Sequence, residues 1–388
     1  MVEEVPVMME RYGSGMAELK FRPTYEWNGI AMLVAMLALG ATIAGAETTL
    51  PCRQPQLAAT GNTVYVACGT PTSILVARSE DGGRTFGLAT TAATVPRLSL
   101  GNHRGPRIVA LGDTLVISAI VGEVSGGSRH TSQGHQPAQD GDLLAWRSVD
   151  RGKTWSAPVK VSDVPAAARE GLHAMAAYGT TVAAAWLDLR ENGTTLVVAV
   201  SADGGAHWGP NVVAYRSPSG TICQCCHPSL VVDATGRISA MFRNERQGTR
   251  DMFLIASIDG GRTWTSGEKL GDGTWPLKSC PMDGGTLAYD GGNVVSIWRR
   301  DQTVYLASAG TAEVAIGAGV NPTLAITPAG PLVAWNGSDG LMLKRADATA
   351  SLVDAQGKFA ALSATPQGVV LAFERGTDSV VRRLESRN

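Results

Sequence analysis

One turn motif, Ser-x-Asp-x-Gly-x-Thr-Trp, returns four times in this chain of 388 residues and restricts its fold more than any other feature. The copies are Ser79 to Phe86 (SEDGGRTF), Ser148 to Trp155 (SVDRGKTW), Ser201 to Trp208 (SADGGAHW) and Ser257 to Trp264 (SIDGGRTW). Each residue type has a backbone reason. Asp accepts hydrogen bonds from the amides of its own turn, and Gly takes positions with φ > 0. Thr and Trp restart a strand, with the indole free to pack against a neighbouring sheet. Ahead of these turns stands a strand pair: an apolar β-branched run, a Gly-bearing turn, and a second run ending in a large residue.

The strand pair recurs seven times, as Pro55 to Cys68, Pro106 to Ile120, Leu172 to Trp186, Pro228 to Phe242, Gly285 to Trp298, Pro322 to Trp335 and Lys358 to Phe373. A period of roughly 40 to 50 residues made only of short strands predicts an all-β chain, a β-propeller of four-stranded blades. Seven blades are expected, with six as the alternative. The last repeat ends at Glu385 without a turn motif, so Thr48 to Leu50 should supply its missing outer strand and join the two ends of the chain.

The four turns resemble the Asp-box, or BNR, repeats of the sialidase superfamily, and the resemblance covers most of the chain after residue 46. It implies a sialidase-like propeller. It says little about chemistry, because such boxes also occur in propellers that are not sialidases.

The first 46 residues stand apart from the repeats. A polar lead with Lys20 and Arg22 is followed by an apolar run, Ile30 to Ile43, and then Ala44-Gly45-Ala46. This is the pattern of an export signal with an A-x-A cleavage site, the alternative being an N-terminal anchor. Residues 47–388 are then expected to form a single domain in the periplasm or outside the cell. There six cysteines can pair. A net charge of −1 gives no basic field for nucleic acid, and no Lys/Arg block marks a membrane surface. The loop over 122–142 is far longer than the repeat requires, and a loop of this length is expected either to have a function or to be disordered.

Antiparallel geometry separates two faces. The start of each first strand and the end of each second lie at one end of a blade, and the Asp box lies at the other. The box-free face therefore gathers Arg53, His103, Arg104, Glu170, His173, Cys223 to His227 and Cys280 to Asp283, with Glu123, Asp188, Arg190, Arg243, Arg246, Arg299 and Arg300 at the strand ends. The long loop adds His130, His135, Asp140 and Asp142. His207 sits in a box on the far face and reads as an ordinary surface residue.

Sialidases hold the carboxylate of sialic acid with three arginines, whose fork geometry suits a planar anion. By resemblance, His103-Arg104-Gly105-Pro106 stands for the family's aromatic-Arg-Ile-Pro motif, and Arg243 and Arg299 occupy the other two places, with Arg246 beside them. The same resemblance makes Asp140 or Asp142 the catalytic acid/base. It supplies no more: between Cys223 and Arg243 there is no Glu to assist a nucleophile, and no Tyr reaches the mouth.

In the place of that Glu stands Cys223-Gln224-Cys225-Cys226-His227, and Ser279-Cys280-Pro281-Met282-Asp283 opens the next repeat. Thiolates, imidazole and thioether are soft ligands suited to Cu(I) or Zn(II), and an exported protein would more readily meet copper. The spacing is not the C-x2-C pair of a zinc ribbon. Two readings stand. In one, Cys280 forms a disulfide with one of the three cysteines, and Cys52 with Cys68. In the other, Cys223, Cys225, Cys226, His227, Cys280 and Met282 form one soft-metal cluster, leaving the only disulfide to Cys52 and Cys68.

The function classes that remain are a glycan-directed protein clamping an anionic sugar, as hydrolase or binder, and a non-enzymatic metal or thiol protein on the same scaffold. A third is an assembly factor with a protein partner at the mouth. Whether the chain is an enzyme is left open by the sequence.

Overall fold

The computed structural model describes residues 47–123, 129–131, 134–345 and 348–384. The expected export signal or anchor at 1–46 lies outside the described residues. Everything described falls in one compact unit, Ala44–Asn388, and is built from strands and turns, with no helix among the described residues.

Seven antiparallel blades form the ring. Blade I is Arg53–Thr60, Thr63–Gly69, Ser73–Ser79 and Thr90–Thr94, from the innermost strand outward. Blade II is Arg107–Leu111, Thr114–Gly122, Asp142–Ser148 and Val159–Lys160, with Arg97–Leu98 added at the end of its second strand. Blade III is His173–Tyr178, Thr181–Glu191, Gly193–Ser201 and Val212–Tyr215. Blade IV is Ser229–Val232, Ile238–Arg243, Met252–Ser257 and Glu268–Lys269. Blade V runs Gly285–Asp290, Asn293–Arg300, Thr303–Ser308 and Val314–Ala318, and blade VI Val320–Thr327, Gly330–Gly337, Gly340–Arg345 and Ser351–Asp354. Blade VII takes Gly357–Thr365, Gly368–Arg375 and Asp378–Leu384 from the end of the chain and Thr48–Leu50 from its beginning. The expected closure is thus formed, with Thr48 opposite Val381 and Leu50 opposite Ser379.

The reason the ring closes is the distribution of its core. Seven clusters of buried apolar side chains lie between successive blades, the last joining Val370 and Ala372 of blade VII to Val64 and Val66 of blade I. Second strands are buried on both sides, so Thr63–Gly69 and Ile238–Arg243 are buried at every residue. This is why they read as unbroken apolar runs rather than as alternating ones. Large residues at their ends, such as Trp186, Phe242, Trp298 and Phe373, are fully buried, each contributing about 2 kcal/mol or more of transfer free energy.

A polar clasp adds to the closure. Glu374 of blade VII, 3% exposed, accepts hydrogen bonds from Arg53 Nη2 (3.1 Å), Gln54 N (2.7 Å) and Gln54 Nε2 (2.8 Å) of blade I. Ser379 Oγ donates to Cys52 O at 2.7 Å, and Cys52 is bonded to Cys68, tying the entry of blade I to the end of its second strand.

On the far face the four Asp boxes repeat one set of bonds. Asp81 takes hydrogen bonds from Thr85 N (2.9 Å) and Thr85 Oγ1 (2.6 Å), while Ser79 Oγ binds Asp81 and receives Gly83 N. The same bonds join Ser148, Asp150, Gly152 and Thr154, and again Ser257, Asp259, Gly261 and Thr263. In the third box His207 replaces Thr and brings Nδ1 to 2.6 Å from Asp203, its side chain 90% exposed. The second Gly of a box is required twice over. Gly83 has φ +86°, and a Cβ there would lie 2.3 Å from Val370 of the preceding blade. Blades V to VII hold their corresponding corners without such a box.

Candidate functional site

At the box-free face the innermost strands begin with a repeated kink. Gln54, His103, Met282, Asn321 and Phe359 all have positive φ, between 50° and 65°, at or just before the first strands of blades I, II, V, VI and VII. For residues with a Cβ this conformation costs roughly 1 kcal/mol each, so the ring must return that energy in contacts. Those contacts close the axial channel. His103 Nε2 lies 2.9 Å from Asn321 Oδ1, its ring stacks on His227 at 4.0 Å, and the edge of Phe359 lies against it at 5.0 Å. Burial pushes His103 down to about 4, the neighbouring Arg107 and Arg104 acting in the same direction against its bond to Asn321. His227 is held well below the ordinary histidine value by burial, His103 and Arg107, so this plug is uncharged at neutral pH. His173, one blade along, is fully buried against Ser118 and likewise neutral.

Beside the plug, the loops leading into blades IV and V bring four sulfurs together. The segment turns at Gln224–Cys226, so consecutive cysteines that would diverge in an extended strand point to one place. Cys223 Sγ lies 3.0 Å from Cys226 Sγ and 3.7 Å from Cys225 Sγ, and Cys225 Sγ lies 3.9 Å from Cys226 Sγ. Cys280 joins them through a disulfide to Cys225, with a Cα separation of 6.4 Å, and Met282 packs on the group. Cys223, Cys225 and Cys226 are buried, whereas Cys280 and Met282 form a half-exposed lip.

Each cysteine reading keeps a part here: Cys280 is bonded to one of the three, and the sulfurs still gather in one place. The cysteines do cluster, but Cys52–Cys68 is not the only disulfide, since Cys225–Cys280 forms as well and leaves Cys223 and Cys226 as the free thiols. His227 turns to the channel axis rather than to the sulfurs, because its ring is committed to the stack with His103. Burial pushes both free thiols up. For Cys223 the hydrogen bond with Cys226 and the Arg250 and Arg243 guanidiniums outweigh it and bring the thiol below its ordinary value; Cys226 stays well above.

Arg243 is the brace of this centre. Its Nε donates to Asp283 O (3.1 Å), Nη1 to Arg250 O (2.7 Å) and Nη2 to Arg299 O (2.9 Å), its guanidinium lies 5.1 Å from the centre of the Trp275 ring, and it is 1% exposed. Its own carbonyl accepts from Cys223 N at 3.0 Å. The residue thus fixes both cysteine segments, Cys223 directly and Cys280 through Asp283. The Arg299 guanidinium also lies over Trp275, 5.2 Å from the ring centre, and 3.8 Å from the Asp283 carboxylate, which burial pushes up in pKa. Arg246 is exposed in the turn with Thr249.

Arg104 lies elsewhere, so the four arginines do not line one cavity. Its Nε donates to Glu170 O at 2.8 Å, and the Glu170 charge partly offsets the burial of the guanidinium. Arg104 borders a cleft of about 910 Å³ at blades I and II, together with Arg53, Arg97, Arg169, Glu123 and Asp140. Asp140 accepts from Glu123 N at 2.6 Å. Asp142 is engaged in structure, holding Lys160 at 2.8 Å and accepting from Ala166 N at 2.9 Å. In the long loop the backbone of His130 pairs with that of His135 in a short hairpin; their side chains lie outside the described part. Sequence reasoning missed Arg97, Arg169, Asn321 and Phe359. Only the Asn321-Pro322 step, the counterpart of Gln54-Pro55, carried a usable signal, since both stand at the second and third residues of first strands, at the same kink.

Residues 109–279 match the family model of the BNR repeat-like domain. An ulvan lyase, from a new family of polysaccharide lyase, superposes with a TM-score of 0.52 at 10% identity, covering 89% of this chain and 96% of the lyase. The described chain is a seven-bladed β-propeller, of which residues 109–279 resemble a BNR repeat-like domain. A leech intramolecular trans-sialidase complexed with 2,7-anhydro-Neu5Ac gives a TM-score of 0.48 at 13% identity over 86% of this chain and 66% of its own. An α-L-arabinofuranosidase from Fusarium graminearum gives 0.49 at 13% identity, over 89% and 99%. None of the curated proteins matches this propeller in sequence. Identities this low concern the fold, and the activity has to be argued from this propeller's own residues.

Proposed function

We propose that this propeller is an exported, non-hydrolytic protein that binds a soft metal ion, Cu(I) before Zn(II), through Cys223, Cys225, Cys226 and Cys280, with Met282 at the lip. The observation that carries the reading is the convergence of four sulfurs from two blades in a buried pocket. A metal–sulfur distance of about 2.3 Å places tetrahedral thiolates about 3.8 Å apart. The spacings of 3.7 Å and 3.9 Å around Cys225 meet that without movement, and the Cys223–Cys226 spacing of 3.0 Å has to open slightly. The Cys225–Cys280 bond has to be reduced for the full set, leaving Cys223 and Cys226 as a two-thiolate site in the oxidised protein. Guanidiniums of Arg243 and Arg250 offset thiolate charge, and a thioether at the lip favours Cu(I). Two disulfides fit a protein that matures in an oxidising compartment.

Titration of fully reduced protein with Cu(I) against a competing chelator tests the reading. One equivalent should bind tightly and be lost in the Cys225→Ser/Cys226→Ser double variant. Equal, weak binding by both forms would overturn it.

A second reading, an anionic sugar or other carboxylate in the cleft of blades I and II, is favoured by Arg97. Half-buried in that cleft beside Arg53, Arg104 and Arg169, its side chain has no hydrogen bond or ion pair among the described residues. Retention on an immobilised uronate or sialoside, lost in Arg97→Ala, would support it. Release of a fluorogenic aglycone from a sialoside is not expected, and turnover abolished by Arg104→Ala would show that the protein is a hydrolase after all.

A further inference from the structure

We infer that the sulfur cluster is also a two-electron thiol–disulfide relay, in which the buried Cys223/Cys226 dithiol exchanges its redox state with the Cys225–Cys280 disulfide and presents Cys280 to an external disulfide. It uses the same four residues as the metal reading, and its test is run with metal excluded. Three observations carry it. The dithiol and the disulfide are in contact, Cys223 Sγ lying 3.7 Å and Cys226 Sγ 3.9 Å from Cys225 Sγ. The two free thiols are 3.0 Å apart, and although the whole run reads C-x-C-C-H, this pair within it is separated C-x-x-C, the spacing that closes a small disulfide loop. Among the four sulfurs only Cys280 belongs to a half-exposed residue; the other three are buried.

The exchange balances without any further reagent. Cys223, as thiolate, attacks Cys225 Sγ; a Cys223–Cys225 bond forms, the Cys225–Cys280 bond breaks, and the electron pair leaves on Cys280 Sγ, which takes up a proton at the lip. Cys226 then releases its proton and attacks Cys223 Sγ at 3.0 Å. The Cys223–Cys226 bond forms, and Cys225 leaves as a thiolate that takes the proton. One dithiol has been oxidised and one disulfide reduced. From that register, Cys280 thiolate can attack an external disulfide and expel one thiol. Cys225 resolves the mixed disulfide, expels the second thiol and restores Cys225–Cys280. The substrate class is therefore an accessible disulfide on a small molecule or a protein, with the buried pair as electron store. Arg243, which holds Cys223 and the Asp283 end of the second segment, is the positioning residue of the relay.

The chain carries a convenient readout. Trypsin cuts after Arg216, Arg237, Lys278 and Arg299, which places Cys223, Cys225 and Cys226 on the peptide 217–237 and Cys280 on 279–299. Protein kept in a strong copper and zinc chelator is equilibrated in glutathione buffers of graded potential, quenched in acid, alkylated and digested without reduction. The two peptides joined report Cys225–Cys280. Peptide 217–237 with an internal disulfide, beside an alkylated Cys280, reports the other register. Both should occur in the wild type, the minor form making up at least about one molecule in ten, which places the two potentials within about 30 mV. Cys223→Ser/Cys226→Ser should leave only the joined form, and Cys280→Ser only the internal one. A wild type that shows nothing but joined peptides until both thiols appear together overturns the relay. Should either variant fail to fold, the wild-type distribution alone decides. Cu(I) binding by the fully reduced protein is a separate result that neither outcome touches.

Discussion

The two faces of the propeller hold their loops by different means. On the far face one arrangement is used four times, with Asp81, Asp150, Asp203 and Asp259 each collecting the amides and the side chain of its own turn. On the box-free face five blades share a backbone kink but the side-chain partners differ: a carboxylate clasp joins blades VII and I, a histidine pair spans blades II and IV, and sulfurs and a guanidinium join blades IV and V. Partners in a box are two to four residues apart. Bonds that join blades at the mouth reach much farther, across 40 residues in Arg243 with Asp283 and 320 in Gln54 with Glu374. Local bonding can repeat without reference to position in the ring, whereas bonds between blades differ because each blade meets different neighbours. The repeated face carries the fold, and the irregular face carries what distinguishes this propeller from others.

Breaking the mouth should therefore cost more than breaking a box. Arg243→Ala takes the guanidinium donor from three carbonyls, one buried and two part-buried, and removes the contact with Trp275; urea unfolding should show a loss of about 3 kcal/mol or more, with Cu(I) affinity falling in parallel. A loss under about 1 kcal/mol would mean that the brace is replaceable. Next comes the closure clasp. Glu374→Ala strands the buried amide of Gln54 and the Arg53 guanidinium, for an expected loss of about 2 kcal/mol measured the same way.

On the far face, Gly83→Ala combines a φ of +86° with a Cβ 2.3 Å from Val370, and should cost about 1 to 3 kcal/mol. The equivalent change at Gly260, where a Cβ meets nothing, should cost less. A reversed order would show that φ, and not blade packing, sets the demand for glycine in a box.

The smallest effect expected is one of pH. His103 titrates at about 4 in the fold against 6.5 ordinarily, so the unfolded chain takes up the proton first. Its contribution is complete above 6.5 and declines as pH falls from 6.5 towards 4. Asp81 and Asp150, drawn down to about 2 by their turns, act only lower, between 3.8 and 2. Burial pushes Asp81 up, but bonds from Thr85, Ser79 and Arg84 outweigh it; for Asp150 the Thr154 bonds lead. His103→Gln should thus lessen the slope of the stability profile between pH 6.5 and 4, a slope it shares with His173 and His227, and leave the steeper fall below 3.8 unchanged. A profile that keeps its slope in the upper window would remove His103 from the acid response.

Much of this propeller is fixed by the chain read on its own. The strand pairs, the boxes, the seven blades and the closing strand Thr48–Leu50 follow from periodicities of a few residues, because backbone hydrogen bonding and burial of second strands act over that distance. The sequence also brings Cys223, Cys225, Cys226 and Cys280 to one face. It could not pair them: three cysteines within four residues are equivalent partners for Cys280 until the turn at Gln224–Cys226 orients them. Nor could it tell a free arginine from a consumed one. Arg243 and Arg97 look alike as letters near a rim, yet one is saturated by carbonyls up to 56 residues away and the other faces a cleft. The same holds for His103, which finds its partner at Asn321, 218 residues on. Strand and turn are written in neighbouring residues, while the state of a buried polar side chain depends on which carbonyls and rings the closed ring brings against it, and that is decided only when all seven blades are in place.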